Sequence, residues 1–194
     1  KGPGEEVPYI YGILHSEDYR QRYANNLMKE LPRIPRVATY EQFKAFEVAG
    51  RKLAELHVNF EEVKPYPANV VMKPGTPNYR VTQMKWGKIS GKTGNAAKDK
   101  SRLIYNEDIT VEGIPIEAQE YVVNKKSALD WVVERACVKT DKASGIVNDF
   151  NDYAAEIGNP RYPLDLFLKV ITVSLETMKI VKSLPKLEIH PMDK

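Results

Sequence analysis

The stretch Gly87–Arg102, "GKISGKTGNAAKDKSR", concentrates the residue types that hold phosphate: lysines, an arginine and closely spaced glycines. Two chemistries would use them, a cradle for a nucleotide or a grip on the phosphates of a larger polyanion. A nucleotide loop needs four residues between its first glycine and the Gly-Lys pair, so that successive backbone N–H groups wrap the phosphates. Counting back from Gly91-Lys92-Thr93 puts Trp86 where that glycine belongs, and only three residues separate Gly87 from Gly91. The following "LIYN" promises no helix to aim its N-terminus at a phosphate. The nucleotide reading fails on spacing.

The polyanion reading rests on charge distribution. Lys73 to Arg102 carries eight Lys/Arg against one acid, Asp99, a net +7 in a chain whose total is +3, so the remaining residues carry −4. A basic tract on an otherwise acidic chain is the footprint of a polyanion partner, although a solvated lysine-rich loop gives the same count. Lys73, Arg80, Lys85, Lys88, Lys92, Lys98, Lys100 and Arg102 supply phosphate-binding cations. Tyr79, Gln83 and Trp86, together with the arginines, add types that touch bases. Trp86 fits a core position equally well. A two-stranded ribbon bearing such residues can enter a major groove.

Other constellations are weaker. His15, His57 and His190 are far apart and lack cysteine partners at metal-ligand spacing. His15 and His57 fall at helix ends, where capping or packing is expected. Cys137 closes an amphipathic stretch and reads as a small core residue. Asp141, Asp149, Asp152 and Glu156 match no calcium loop, and their surroundings read as turn and helix-start chemistry. No catalytic and no metal-binding residue is assigned.

These residues must be positioned by helices at both ends and strands between. Ser16, followed by Glu17 and Asp18, has the form of an N-cap, and Tyr19, Tyr23, Leu27 and Leu31 recur every four residues before "LPRIP" stops the helix. Thr39 with Gln42 opens another helix, with Phe43, Phe46, Ala49, Leu53 and Leu56 along one side. Prolines and Gly75 make 65–77 irregular. "YRVTQMKW" and "RLIYNEDITVEGIP" read as strands flanking the basic loop, and "EYVV" as one more. Ser127 and Asp130 begin a further helix, "KTDKASGIVNDFND" is a loop, and Pro163 starts a long helix to about Ser183. Its inner face carries Leu164, Leu168, Ile171, Leu175 and Met178.

The expected class is α+β, with helical N- and C-terminal portions around a small mixed or antiparallel sheet carrying a long basic hairpin loop. One domain spans 1–194: a linker at 1–8, helices over 9–64, a β- and loop-rich part over 65–123, and helices over 124–194. "KGPG" suggests a cut inside a longer polypeptide. The 42% apolar share fits a globular chain, apolar runs are too short for a bilayer span, and a single cysteine suits a reducing cytoplasm.

The segments "YIYGILHSEDYRQRYANNLMKELPRIP", "AGRKLAELHVNFE", "IYNEDITVEGIP", "NKKSALDWVVERACVKTDKASGIVNDFND" and "VITVSLETMKIV" carry a resemblance. In order and spacing, from about Tyr9 to Ser183, they resemble the C-terminal target-recognition (specificity) domain of type ISP single-polypeptide restriction–modification enzymes. Those bacterial defence proteins join a nuclease, a helicase-like translocase and an adenine methyltransferase to the recognition domain. The resemblance implies a non-catalytic domain that reads a short site on double-stranded DNA and holds the duplex for the upstream methyltransferase, which flips the target adenine. It also implies docking on the upstream methyltransferase and helicase domains. S-adenosylmethionine, ATP and Mg would serve the parent polypeptide, with no cofactor in this part. Placing the reading residues between Lys73 and Arg102 follows from charge and composition, because no family motif fixes them. Two other readings are a coupling module that touches no DNA and a small free-standing enzyme using an acid or Cys137.

Overall fold

Glycine lets two helices touch in the first part of the fold. The computed structural model describes residues 4–193, and its contacts group into two units, 1–60 with 176–194, and 61–175. In the first unit α1 (Glu6–His15) packs on α4 (Tyr40–Val58). A Cβ on Gly50 would stand 1.7 Å from the Pro8 carbonyl oxygen, and one on Gly12 would stand 2.2 Å from that of Phe46. Glycine inside α4 lowers helix propensity, and the close approach of the two backbones offsets that cost. Helix α1 begins within the stretch expected as linker, of which Lys1–Pro3 fall outside the described residues.

Local signals set most boundaries here. Ser16 Oγ accepts from the Tyr19 N–H (3.3 Å) and caps α2 (Glu17–Arg22), and Thr39 Oγ1 accepts from the Gln42 N–H (3.2 Å) at the start of α4. The Gln42 amide does not turn back to complete a capping box; its Nε2 donates to the Lys186 carbonyl (2.8 Å). The single helix expected from Ser16 to Leu31 is broken at Tyr23 (φ −106°, ψ 17°), leaving a one-turn α3 (Ala24–Leu27). Asn25 and Asn26 are weak helix formers. Once the helix ends, the four-residue period no longer places side chains, and Leu31 is 87% exposed. Tyr9, Ile13, Tyr19, Phe43, Phe46 and Leu187 form this unit's core.

The second unit is built on a four-stranded antiparallel sheet in the order β1-β4-β3-β2: β1 (Asn69–Met72), β2 (Lys85–Lys88), β3 (Lys98–Ile104) and β4 (Ile109–Glu112). This is the antiparallel form of the expected α+β class. Strand β1 lies inside the stretch expected to be irregular. Prolines flank it at 65, 67, 74 and 77, and as an edge strand it needs a partner on one side only. The expected strand "YRVTQMKW" shrinks to its last residues because side chains satisfy the backbone before it. Asn151 bonds both the N–H and carbonyl of Val81, and Asn106 Nδ2 donates to the carbonyls of Asn78 and Arg80. The Asn106 carboxamide oxygen also accepts from the N–H groups of Asp108 and Ile109, closing the β3–β4 turn.

One sheet face presents Trp86, Leu103 and Val111, and a core forms there with Leu164, Phe167, Leu168 and Ile171. Those four lie on α7 (Tyr162–Lys182), which follows β5 (Val122–Val123), β6 (Lys126–Ser127), α5 (Ala128–Arg135), β7 (Val138–Thr140), β8 (Val147–Asp149) and α6 (Asn151–Glu156). The expected loop "KTDKASGIVNDFND" contains the β7–β8 hairpin, whose turn is tied by Asp141 Oδ1 accepting from Ala143 N–H and Ser144 N–H. Among the described residues no helix is long and apolar enough to cross a membrane.

Candidate nucleic-acid interface

The β2–β3 ribbon shapes the basic tract. Lys85 pairs with Ile104 and Trp86 with Leu103, but after a bulge at Trp86/Gly87 the register moves, so that Gly87 faces Asp99 and Lys88 faces Lys98. A bulge sharpens local twist and re-aims the residues beyond it. A Cβ on Gly87 would meet the Arg102 and Asp99 side chains at 3.3 Å, so glycine fits the tight crossing. Beyond it, Ile89 N–H reaches the Ala97 carbonyl (2.7 Å), and Gly91 (φ 75°) and Gly94 (φ 62°) turn the loop back. A short 3-10 turn, Gly94–Ala97, and then β3 follow "GKT". No helix N-terminus stands where a nucleotide loop requires one.

Trp86 belongs to the core. It is 7% exposed, its ring lies 6.1 Å from that of Phe167, and Nε1 donates to Asp130 Oδ1 (2.8 Å). Lys100 Nζ donates to the other oxygen of the same carboxylate (2.7 Å). Burial pushes the Asp130 carboxyl up, but the bonds from Lys100 and Trp86 outweigh it and hold it below the usual carboxylate range. The sequence-predicted cations therefore divide into two groups. Lys73 is paired with Asp108, Arg80 with Asp149, Lys100 with Asp130 and Arg102 with Glu112. Among the described residues Lys85, Lys88, Lys92 and Lys98 have no carboxylate partner, and all four are exposed. Tyr79 is half-buried beneath the Arg161 guanidinium, 5.5 Å from its ring centroid, which makes it a packing residue.

A cleft of about 750 Å³ opens beside the ribbon. It brings Gln83, Lys98 and Lys100 together with Asn95, Lys125 and Lys126. The last two were missed in the sequence, lying beyond the basic tract and reaching the cleft only through the β5–β6 hairpin. Ser127 Oγ accepts from Asp130 N–H (3.0 Å), fixing the start of α5 and with it the carboxylate that meets Lys100 and Trp86. Cys137, read as a core residue, is half-buried and lines the same cleft, its backbone bridged to Gln83.

His57, Asp149 and Asp141 are held in contacts within the fold. His57 Nδ1 lies 2.6 Å from Tyr11 Oη and its Nε2 2.8 Å from Thr177 Oγ1, with the His15 ring 5.7 Å away. Burial, reinforced by the neighbouring His15, lowers the His57 pKa to about 4. Asp149 bonds Arg80 and Asn151, and Asp141 closes its own turn. Among the described residues no group of three or more His, Cys, Asp or Glu is placed to hold a metal ion.

The model of the Type ISP C-terminal specificity domain matches residues 2–166. Comparison with curated proteins gives no match. Solved structures with the same fold include a nuclease-deletion mutant of the Type ISP restriction–modification enzyme LlaGI in complex with a DNA substrate mimic, at 42% identity and a TM-score of 0.81 over 96% of this chain. The ATP-dependent Type ISP enzyme LlaBIII bound to DNA matches at 37% identity and a TM-score of 0.84 over 98%. A DrdV–DNA complex matches at 30% identity and a TM-score of 0.77 over 97%. The chain spans 16%, 12% and 18% of those three chains respectively. By its family model and by the fold it shares along nearly its whole length, the chain belongs to the Type ISP C-terminal specificity domains.

Proposed function

We propose that this chain is a non-catalytic module that reads a site on double-stranded DNA for a restriction–modification polypeptide. It would hold the duplex for an adenine methyltransferase elsewhere in that polypeptide. The relatives LlaGI, LlaBIII and DrdV were solved with DNA or a DNA mimic, which supports the partner. The observation that carries the reading within this chain is the set of exposed, unpaired lysines on the bulged β2–β3 ribbon. Lys85, Lys88, Lys92 and Lys98 add charge without serving the fold, and phosphates are the partner that such charge suits. Gln83 and Asn95, beside them in the cleft, can exchange hydrogen bonds with base edges.

In this scheme Lys73, Arg80, Lys100 and Arg102 mainly tie the fold together, and Trp86 and Tyr79 support the ribbon from within. S-adenosylmethionine, ATP and Mg would be used by other parts of the polypeptide, where methyl transfer, translocation and cleavage would take place. The test is fluorescence anisotropy of the chain with a random duplex pool across salt concentrations. Binding that weakens steeply with salt, and a bound pool enriched in one sequence, is the expected result. Absence of binding at low salt, both alone and joined to its methyltransferase, would refute the reading.

A further inference from the structure

We propose that Lys125, at the tip of the β5–β6 hairpin, is a DNA-contacting residue that extends the phosphate-binding surface begun by Lys88 and Lys98. The inference rests on the DNA-reading role above and adds a residue outside the basic tract. Its first support is backbone conformation. Val123 pairs with Lys126, and the two residues between them, Asn124 (φ 49°) and Lys125 (φ 70°), are both left-handed. Such two-residue turns favour Asn followed by Gly, since a Cβ at the second position costs energy in this region. Asparagine suits its place, but a lysine stands where glycine would be less strained. Strain tolerated at an exposed tip points to a use for the side chain.

The second support is position and charge. Lys125 lines the cleft that also holds Gln83, Asn95 and Lys98. Two other lysines of that cleft are neutralised, Lys100 by Asp130 and Lys126 by Glu134. Among the described residues no carboxylate pairs with Lys125 or Lys98, so these two carry the cleft's uncompensated charge. The hairpin is also braced from behind. Trp131 Nε1 donates to the Val123 carbonyl (2.7 Å), Ala128 N–H to that of Tyr121 (2.9 Å), and Lys126 Nζ lies 4.8 Å from the centroid of the Trp131 ring. A long cation on a rigid stem meets a phosphate with little further ordering.

Lys125→Gly and Lys125→Gln separate this role from a structural one. Lys125→Gly relieves the strain and removes the charge, so its unfolding midpoint should rise while duplex affinity falls. Lys125→Gln keeps the strain and should lose affinity without gaining stability. For both, losing one phosphate contact should weaken binding roughly fivefold near about 0.15 M salt and make the slope of log K against log salt shallower by about 0.9. If both bind like the parent at every salt concentration, while Lys98→Gln weakens binding, the inference fails and the DNA-reading role stands. If the parent chain shows no salt-dependent binding, either alone or joined to its methyltransferase, both fall together.

Discussion

Lys88 and Lys98 stand directly opposite each other across the antiparallel β2–β3 ribbon, immediately beyond a bulge. Like charges in that relationship destabilise a sheet. In the proposed DNA-reading role a phosphate bound between the two side chains would turn that repulsion into binding.

This pair should therefore show opposite effects on stability and affinity. Lys98→Gln removes the repulsion and is expected to stabilise the chain by about 0.2–1 kcal/mol at low salt. The same change should weaken duplex binding severalfold. Denaturant unfolding beside anisotropy checks both, and both effects should shrink as salt rises.

Asp130 joins the basic tract to the core. Asp130→Asn would leave Lys100 uncompensated and weaken the bond from Trp86 Nε1, at an expected cost of about 1–3 kcal/mol. The carboxyl sits below the usual range in the folded protein, so its contribution is fully present above the unfolded carboxylate value. It is lost as pH falls through the folded one. Unfolding curves of parent and variant should differ at neutral pH and converge in strong acid.

His57 gives the first unit a separate pH dependence. Its folded pKa is lowered to about 4 from an ordinary 6.5, so the unfolded chain binds the extra proton first. Stability from this group is complete above about pH 6.5 and is lost as pH falls toward about 4. His57→Gln should flatten the unfolding midpoint across that window, while the parent's midpoint declines.

Gly50→Ala tests the helix contact. A methyl group 1.7 Å from the Pro8 carbonyl oxygen cannot be accommodated without parting α1 from α4. The expected loss is about 1–3 kcal/mol, read as a lowered thermal midpoint. An unchanged midpoint would contradict the packing described.

What was legible in the sequence was local. Ser16, Thr39 and Ser127 announced their helices because a cap bonds to an N–H three residues away. The basic tract and its ribbon were legible from charge and β-forming residues. Strand β1 was hidden because its prolines argue against a central strand without identifying an edge. Lys125 and Lys126 were hidden because only the β5–β6 hairpin brings them to the cleft. Nor does spacing reveal that Asp130 neutralises Lys100, or that Asp149 takes Arg80, so paired and unpaired cations looked alike.

The ribbon lysines are probed most directly by the salt dependence of duplex binding, compared between the parent chain and a Lys85→Gln, Lys88→Gln, Lys98→Gln triple variant. Circular dichroism would establish that both are folded. The variant should bind more weakly, with a slope of log K against log salt shallower by about 2 to 3. Equal affinity and equal slope in a folded variant would contradict that expectation, and the unpaired lysines of the β2–β3 ribbon would then not be the DNA-binding surface.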